Sequence, residues 1–519
     1  MTSEHHIQLA LLLYGFVVVV FLFLRYRLRP SHPLPPSPPG SFPLIGHMLI
    51  LPHKDEWITY RQWGADLDTG ILYMNVLGKK FLVINDFEVA KQLLDCRSSR
   101  YSGRPSFVMA NELMGWDWPM PTLSCNQKWK NQRRMFAKHL GPASFHQPRI
   151  LEFVRATLPR LVRDPDGLES HFKPMVAGII FSLAYGIQTG EASVDANINL
   201  AQDALECFLD ASNPGKHLVN MIPALKHLPE WLPGSSLHRV ARQGRETMYR
   251  LLHVPFRQAQ KEIAEGIARP SLVSKVLDGI QDGSTYGDPA EETIQTLKEL
   301  AAVLFSAGFD TTYASIAHFF RAMAQYPDVQ RKVQEELSAV IEPGRLPGFA
   351  DEPRLPYLVA TIKEVTRCYP VSSTGIPHMC TDDDVFEGYI IPKHTVILPN
   401  LRMMMADPIA YPDPEQFRPE RFLLPSGQLN PHVRDPYSIA FGFGKRLSNG
   451  TLNAVHHCSD CIVVVRNEKP ENFKVITDDL KQKSGSERLH HFAALTAKRT
   501  DPVLVSFSVL LCMRSTLDE

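Results

Sequence analysis

The chain carries no excess charge of either sign: 55 basic side chains are matched by 55 acidic ones over 519 residues. Its overall field therefore steers it neither to nucleic acid nor to an acidic surface, and any basic patch has to be local. Cysteine is sparse. The eight thiols (Cys96, Cys125, Cys207, Cys368, Cys380, Cys458, Cys461 and Cys512) are too irregularly spaced for a disulfide framework. That usage fits a reducing compartment, with most of them expected to be buried. Internal repeats are absent, and so are low-complexity tracts apart from one proline-rich stretch. What remains, 44% hydrophobic and 21% charged residues, is an ordinary globular composition with enough apolar mass for one large core or two smaller ones.

One run near the start is apolar enough to leave water. Ile7 to Leu24 spans 18 residues interrupted only by Gln8, Tyr14 and Gly15, about the minimum that crosses a bilayer as a helix. No basic region precedes it and no small-residue cleavage site follows it, which favours an anchor over a cleaved signal peptide. Arg25, Arg27 and Arg29 follow at once, so the bulk of the chain is expected on the cytosolic side of the endoplasmic reticulum membrane, with a single pass. The expected organisation is an anchor at 1–29, a Pro-rich hinge at 30–43 acting as a stiff extended spacer, a main domain at 44–446, and an atypical tail at 447–519. Within the main domain, Ile71 to Asn85 reads as a hairpin turning near Gly78, Ala90 to Leu337 is mostly helical, and a shorter β-like region returns at Val385 to Pro399. Val219 to Pro233 interleaves large apolar residues with prolines, as suits a surface dipping into a membrane interface.

Several polar groups stand where an apolar pattern does not call for them. Ala307-Gly308-Phe309-Asp310-Thr311-Thr312 lies inside the apolar helical stretch Leu297 to Met323. Either the threonine hydroxyls bond back along the helix and bend it, or Gly308 admits a flat ligand and Asp310 with Thr311 relays protons to it. Glu364 and Arg367 fall one helical turn apart, and the Phe417-Arg418-Pro419-Glu420-Arg421-Phe422 stretch offers a second arginine. A triad of Glu364, Arg367 and Arg421 would pin a meander to a helix. Trp129 and Arg133 sit four apart on a helix rich in lysine and arginine, either as an exposed amphipathic face or as donors to a carboxylated macrocycle. Phe305, Phe309, Met114, Trp116 and Trp118 suggest a broad aromatic-lined pocket.

In this order and spacing the motifs resemble one family, the membrane-bound, fungal-type cytochromes P-450. The resemblance runs from about Leu28 to Arg446 and includes Pro43-Leu44-Ile45-Gly46, Tyr101-Ser102-Gly103-Arg104-Pro105, the Glu-X-X-Arg pair and Phe441-Gly442-Phe443-Gly444-Lys445-Arg446. It implies a mainly α, triangular fold with a small β region and a buried haem b. It further implies electrons from NADPH through a flavoprotein, NADPH-cytochrome P-450 reductase, and insertion of oxygen into an apolar small-molecule substrate, a secondary metabolite or xenobiotic. By the same resemblance Trp129, Arg133, His378 and Arg446 hold the haem propionates, and Asp310 and Thr311 deliver protons.

The pattern breaks two residues after Arg446. There the family places the cysteine thiolate that ligates iron and promotes O–O cleavage; this chain has Ser448. A hydroxyl is a hard, very weakly acidic donor that cannot reproduce thiolate donation. The 73 residues from Leu447 to Glu519 also lack the helical period and closing hairpin of the family, as a missed splice site or frame change would produce. Two alternatives to an active monooxygenase follow: a catalytically inactive, partly folded remnant, and a zinc or redox protein using His456, His457, Cys458 and Cys461, which have no second knuckle at zinc-finger spacing.

Overall fold

The computed structural model describes residues 32–446 except 53–54, 141–142, 165–166, 188–190, 214, 230, 232–235 and 284–288. The expected anchor at 1–29, Ser448 and the tail at 447–519 lie outside the described residues, and so do the four candidate zinc ligands.

Ten α-helices of ten residues or more are described: α1 (Glu56–Asp66), α2 (Gln127–Leu140), α3 (Ala143–Arg163), α4 (Leu168–Ala184), α5 (Glu191–Ser212), α6 (Ser236–Ala264), α7 (Leu272–Gln281), α8 (Ala290–Gln325), α9 (Pro327–Val340) and α10 (Pro356–Cys368). The fold is mainly helical with a small β region. Its axis is α8, which packs against α2, α4, α5, α6, α7, α9 and α10. Leu297, Leu300, Ala301, Ala302 and Phe305 are fully buried, because a helix apolar on most of its circumference has to be surrounded by others. By length and composition α8 is the one described helix that could cross a membrane, yet most of that apolar stretch is covered by protein, as befits a core helix.

Six short strands are described. β1 (Ile71–Val76) and β2 (Lys79–Ile84) pair antiparallel, Ile71 opposite Ile84 and Val76 opposite Lys79. The two residues between them, Leu77 and Gly78, both have positive φ, the turn that matches strand twist. β3 (His378–Met379) and β6 (Val396–Pro399) complete a sheet of order β1-β2-β6-β3, with β2 and β6 parallel, while β4 (Asp384–Phe386) and β5 (Tyr389–Ile391) form a separate hairpin.

Two expectations need correction. The proline stretch is extended, but from Pro33 it is docked rather than free. Pro33 and Pro36 carbonyls accept from Ile390 and Tyr73 amides at 2.9 and 2.8 Å, and Pro35 and Pro38 are buried. Prolines cannot donate to a sheet, but their carbonyls can accept, so the segment lines a sheet edge instead of standing clear as a spacer. Of the five described cysteines, all free, only Cys380 is buried.

Glu364 binds two arginines where no water reaches. Arg367 meets it with two bonds, Nε to Oε2 at 2.7 Å and Nη2 to Oε1 at 2.8 Å. The same Oε1 accepts from Arg421 Nε at 3.1 Å and from the Arg418 amide at 2.8 Å. The spare guanidinium hydrogens go to the carbonyls of Met405, Pro412, Asp413 and Gln416. One carboxylate thus ties α10 to the meander before Phe422. Glu364→Ala would strand two buried guanidiniums at a cost of about 3–5 kcal/mol, a large part of a domain's stability. The expected result is loss of soluble folded protein, read by expression yield and thermal melting; wild-type melting of this variant would show that the triad does not hold the fold.

Candidate functional site: a cation cradle beside two clefts

The loop from Phe441 to Arg446 is held from both sides. Phe441 packs with α10 and the C-terminal half of α8, and Phe443 packs with Leu94, Tyr101 and Met404. Gly444 has φ +53°, and a Cβ there would lie 2.2 Å from the Leu94 carbonyl oxygen, so no other residue fits. Its amide donates to the Asp95 carboxylate. The loop therefore presents Arg446 in a fixed direction.

Arg446 enters a cluster of cations. Its Nε and Nη2 donate to the Ser102 carbonyl at 2.9 and 2.7 Å, Nη2 also reaches the Leu123 carbonyl, and Nη1 is buried with no partner. Arg104 is buried nearby, giving Nη1 to the carbonyls of Ile376 and Pro377, both at 2.7 Å, and Nε to Pro121. Arg133 on α2 and Arg446 from the loop both lie against the Trp129 indole of α2, 5.3 and 5.0 Å from its centroid, and Arg133 donates to the Lys445 carbonyl at 2.9 Å. His378 on β3 bonds the Tyr101 carbonyl through Nδ1 at 2.8 Å, with its ring buried. Gly103 lets the 101–105 segment approach β3, since a Cβ would meet the Met379 oxygen at 2.6 Å. The four donors expected from the sequence, Trp129, Arg133, His378 and Arg446, converge here. Arg104 is missing from that set; its position inside the Tyr-Ser-Gly-Arg-Pro segment was the available signal, and the packing around Gly103 is what brings it in.

Among the described residues, none of the three guanidiniums has a carboxylate partner. Burial pushes the Arg446 guanidinium down to about 10, Cys125 pulling it up and Arg133 pushing it further down. Burial, then repulsion from Arg446, holds Arg104 well below the ordinary arginine range. Burial with Arg104 beside it keeps the His378 imidazole far below its usual value, hence neutral. Such a cluster lacks an anion. The orphaned Nη1 of Arg446 and the unbalanced charge fit a planar group with two carboxylates.

Two clefts open along α8. The first is bordered by Trp116, Trp118, Phe208, Val303, Ser306 and Ala307. The second is bordered by Ser315, His318, Thr366, Val371, Ser372 and Phe441. Ala307, Thr311 and Ser315 succeed one another at four-residue steps, so Thr311 stands between the clefts. Its Oγ1 donates to the Ala307 carbonyl at 3.0 Å, the back-bonded arrangement weighed from the sequence, and Asp310 beside it is half-buried. His318 bonds the Tyr369 carbonyl at 2.8 Å, and burial pushes its ring down to about 4, so it is neutral.

Three residues are placed differently from the reading by sequence. A Cβ on Gly308 would point at Ile180 of α4, 3.3 Å away, so this glycine serves helix packing rather than the approach of a ligand. Phe305 meets Phe181 edge-on at 4.1 Å, and Phe309 stacks on Tyr313, so both belong to the core. Trp116 and Trp118 do line the first cleft. Helical phase turns positions 305 and 309 away from the face of 303, 307 and 311, while Gly308 is taken up by the contact with α4.

Comparison with known proteins adds identity to this geometry. Residues 35–450 match the family model of the cytochromes P-450. The chain is 38% identical over 424 residues to cytochrome P-450 monooxygenase ple1 of Rhodocybe pseudopiperita, covering 81% of this chain and 80% of the relative. It is 37% identical over 425 residues to tryptamine 4-monooxygenase of Psilocybe cyanescens, with coverages of 81% and 82%. To cytochrome P-450 monooxygenase 98 of Postia placenta it is 36% identical over 437 residues, with coverages of 84% and 82%. The chain belongs to the cytochrome P-450 family and is by family a monooxygenase, a class that uses haem iron, a redox partner and a small-molecule substrate.

The cation cluster generates a direct expectation. Charge-assisted hydrogen bonds contribute roughly 1.5–3 kcal/mol each, so haem is expected to bind the full chain at least tenfold more tightly than its dimethyl ester. Arg446→Leu is expected to remove most of that difference. Equal affinity of haem and ester, read by absorbance titration, would show that the cluster does not receive carboxylates.

Proposed function

We propose that the chain is laid out as a haem b monooxygenase of an apolar secondary metabolite or xenobiotic, with propionates received by Arg104, Arg133, Arg446, Trp129 and His378. The observation that carries this is a guanidinium cluster without an acid, Arg104 buried and Arg446 with a buried, unpartnered Nη1, beside the α8 face that bears Thr311. Bound haem supplies oxygen activation with electrons from NADPH through a flavoprotein reductase. The chain's own residues do the rest. Trp129 and the arginines orient the group by charge and stacking, and His378, held neutral, offers Nε2 as a further polar atom at that edge. On α8 the Thr311 hydroxyl has spent its hydrogen on Ala307 and keeps a free lone pair, so it can accept a proton-bearing ligand. Half-buried Asp310 is the acid that can exchange protons with solvent.

A second reading is favoured for this polypeptide as it stands, on the strength of Ser448. Serine gives no thiolate, so the cradle would hold haem without the electron donation that O–O cleavage needs, and turnover would be lost. The test is the reduced carbon monoxide difference spectrum of the full chain. No thiolate-type red-shifted Soret band is expected from it, and none from Ser448→Cys alone, because the proximal wall would still have to come from 447–519. Replacement of 447–519 by the corresponding segment of a relative, cysteine included, is expected to restore the band. A full band from Ser448→Cys by itself would make the tail a working part of the fold.

For location, we infer attachment to the endoplasmic reticulum membrane by the apolar run at 7–24, with the main domain cytosolic. A second contact supports this. Leu44 is 96% and Trp231 80% exposed, joined by exposed Phe42, Leu49, Leu218 and Ile222. The first set is tied to the β1–β2 turn through the Leu77 amide and the Ile45 carbonyl at 3.2 Å, and Lys79 beside that turn donates to the Asn220 carbonyl in the second. Both sets therefore belong to one neighbourhood, an apolar surface of the kind that beds into a bilayer interface. After deletion of residues 1–29 the chain is expected to remain partly with membranes in low-salt fractionation; complete solubility would remove this contact.

A further inference from the structure

Glu299 stands on α8 as a carboxylate among apolar neighbours. It is 2% exposed, and no part of the haem site proposed above uses it. A carboxylate out of water is costly unless donors surround it, and here three do. Oε2 accepts from Gln132 Nε2 at 2.9 Å, while Oε1 accepts from Lys128 Nζ at 2.8 Å and from Gln295 Nε2, one turn earlier on α8, at 3.0 Å. Two of the three donors come from α2. Gln132 is itself fully buried, and its Nε2 also donates to the Trp118 carbonyl at 3.0 Å. One side chain of α2 thus bridges α8 to the segment that precedes α2.

These ties fall where packing gives α2 little hold. The buried side chains of its second half, Met135, Phe136 and Leu140, are apolar and belong to the main core. Those of its first half, Asn131 and Gln132, are polar, and Asn131 accepts from Gln127 of the same helix at 2.8 Å. Apolar contact therefore fixes the end of α2, and hydrogen bonds to Glu299 fix its beginning. Lys128 and Gln132 lie one turn apart; Trp129 and Arg133 each follow by one residue, about 100° further around the helix. With the first pair held against α8, the second is turned to the 441–446 loop, where Arg133 meets the Lys445 carbonyl and Trp129 meets Arg446.

We propose that Glu299 is a positioning residue for haem: by gripping Lys128 and Gln132 it sets the rotation of α2 that aims Trp129 and Arg133 at the propionates. The inference rests on the cradle proposed above. The partners of Glu299 include none of the propionate donors, so it acts through the helix that carries two of them. Its loss is therefore expected to weaken the selection of carboxylates by the site, which a merely stabilising acid would leave alone.

Haem and its dimethyl ester are titrated by absorbance into the full chain and into Glu299→Gln, which keeps the size of the side chain but presents one acceptor oxygen instead of two. The preference for haem over the ester, about tenfold or more in the unmutated chain, is expected to fall roughly fivefold. Gln132→Leu, which breaks the same tie from the α2 side, is expected to act likewise. Because the readout is a ratio within one protein, a lower yield of folded chain does not move it. Leu140→Ala opens a cavity in the apolar half of α2 and is the control: it is expected to lower the melting temperature and leave the preference unchanged. In a chain already carrying Trp129→Phe and Arg133→Leu, Glu299→Gln is expected to cause no further loss. An unchanged preference in Glu299→Gln and Gln132→Leu overturns the proposal. So does an equal loss in Leu140→Ala, or a loss that adds to that of Trp129→Phe with Arg133→Leu. Equal affinity of haem and ester for the unmutated chain instead fails the cradle, and this role of Glu299 with it.

Discussion

A guanidinium taken out of water needs an anion, and this molecule meets that requirement in two opposite ways. Around Glu364 the requirement is met within the chain: one carboxylate satisfies Arg367, Arg421 and a backbone amide, and the meander is fastened to α10. Around Arg446 it is left open. Arg104, Arg133 and Arg446 share their hydrogens among backbone carbonyls and an indole, repel one another, and leave one nitrogen with nothing. The closed cluster is architecture; the open one is the site we propose for an anion from outside.

That contrast also explains how the site is held. Phe441 and Phe443 clamp the loop between two separate cores, Gly444 leaves room for the Leu94 carbonyl, and Gly103 lets the arginine-bearing segment close on β3. Each device positions a cation against its neighbours' repulsion. The core of the fold, above all α8 and the Glu364 triad, supplies the rigidity. The residues proposed for the cradle end at Arg446, two residues before Ser448.

Much of this was legible in the sequence. The hairpin at Gly78, the β-like region at Val385 to Pro399, the long apolar helix and the pairing of Glu364 with two arginines all rest on local pattern or on charges that have to meet. What sequence could not give was phase and approach. Whether Gly308, Phe305 and Phe309 face a ligand or α4 depends on how α8 is rotated within its bundle, and apolar residues on most of its circumference leave that rotation undetermined. Arg104 became visible only when β3 and the 101–105 segment were brought together. The docking of Pro33 and Pro36 escaped for a related reason: proline reads as a sheet breaker, while its carbonyl accepts from a neighbouring strand as well as any other.

The most direct measurement is resonance Raman spectroscopy of the full chain after reconstitution with haem, with stoichiometry determined on the same sample. One haem per chain with no iron–sulfur stretching band is the expected result, since Arg104, Arg133 and Arg446 supply the anion site and Ser448 supplies no thiolate. Failure to retain haem at that stoichiometry would contradict the cradle, and an iron–sulfur band would show that another cysteine of this chain has taken the axial place.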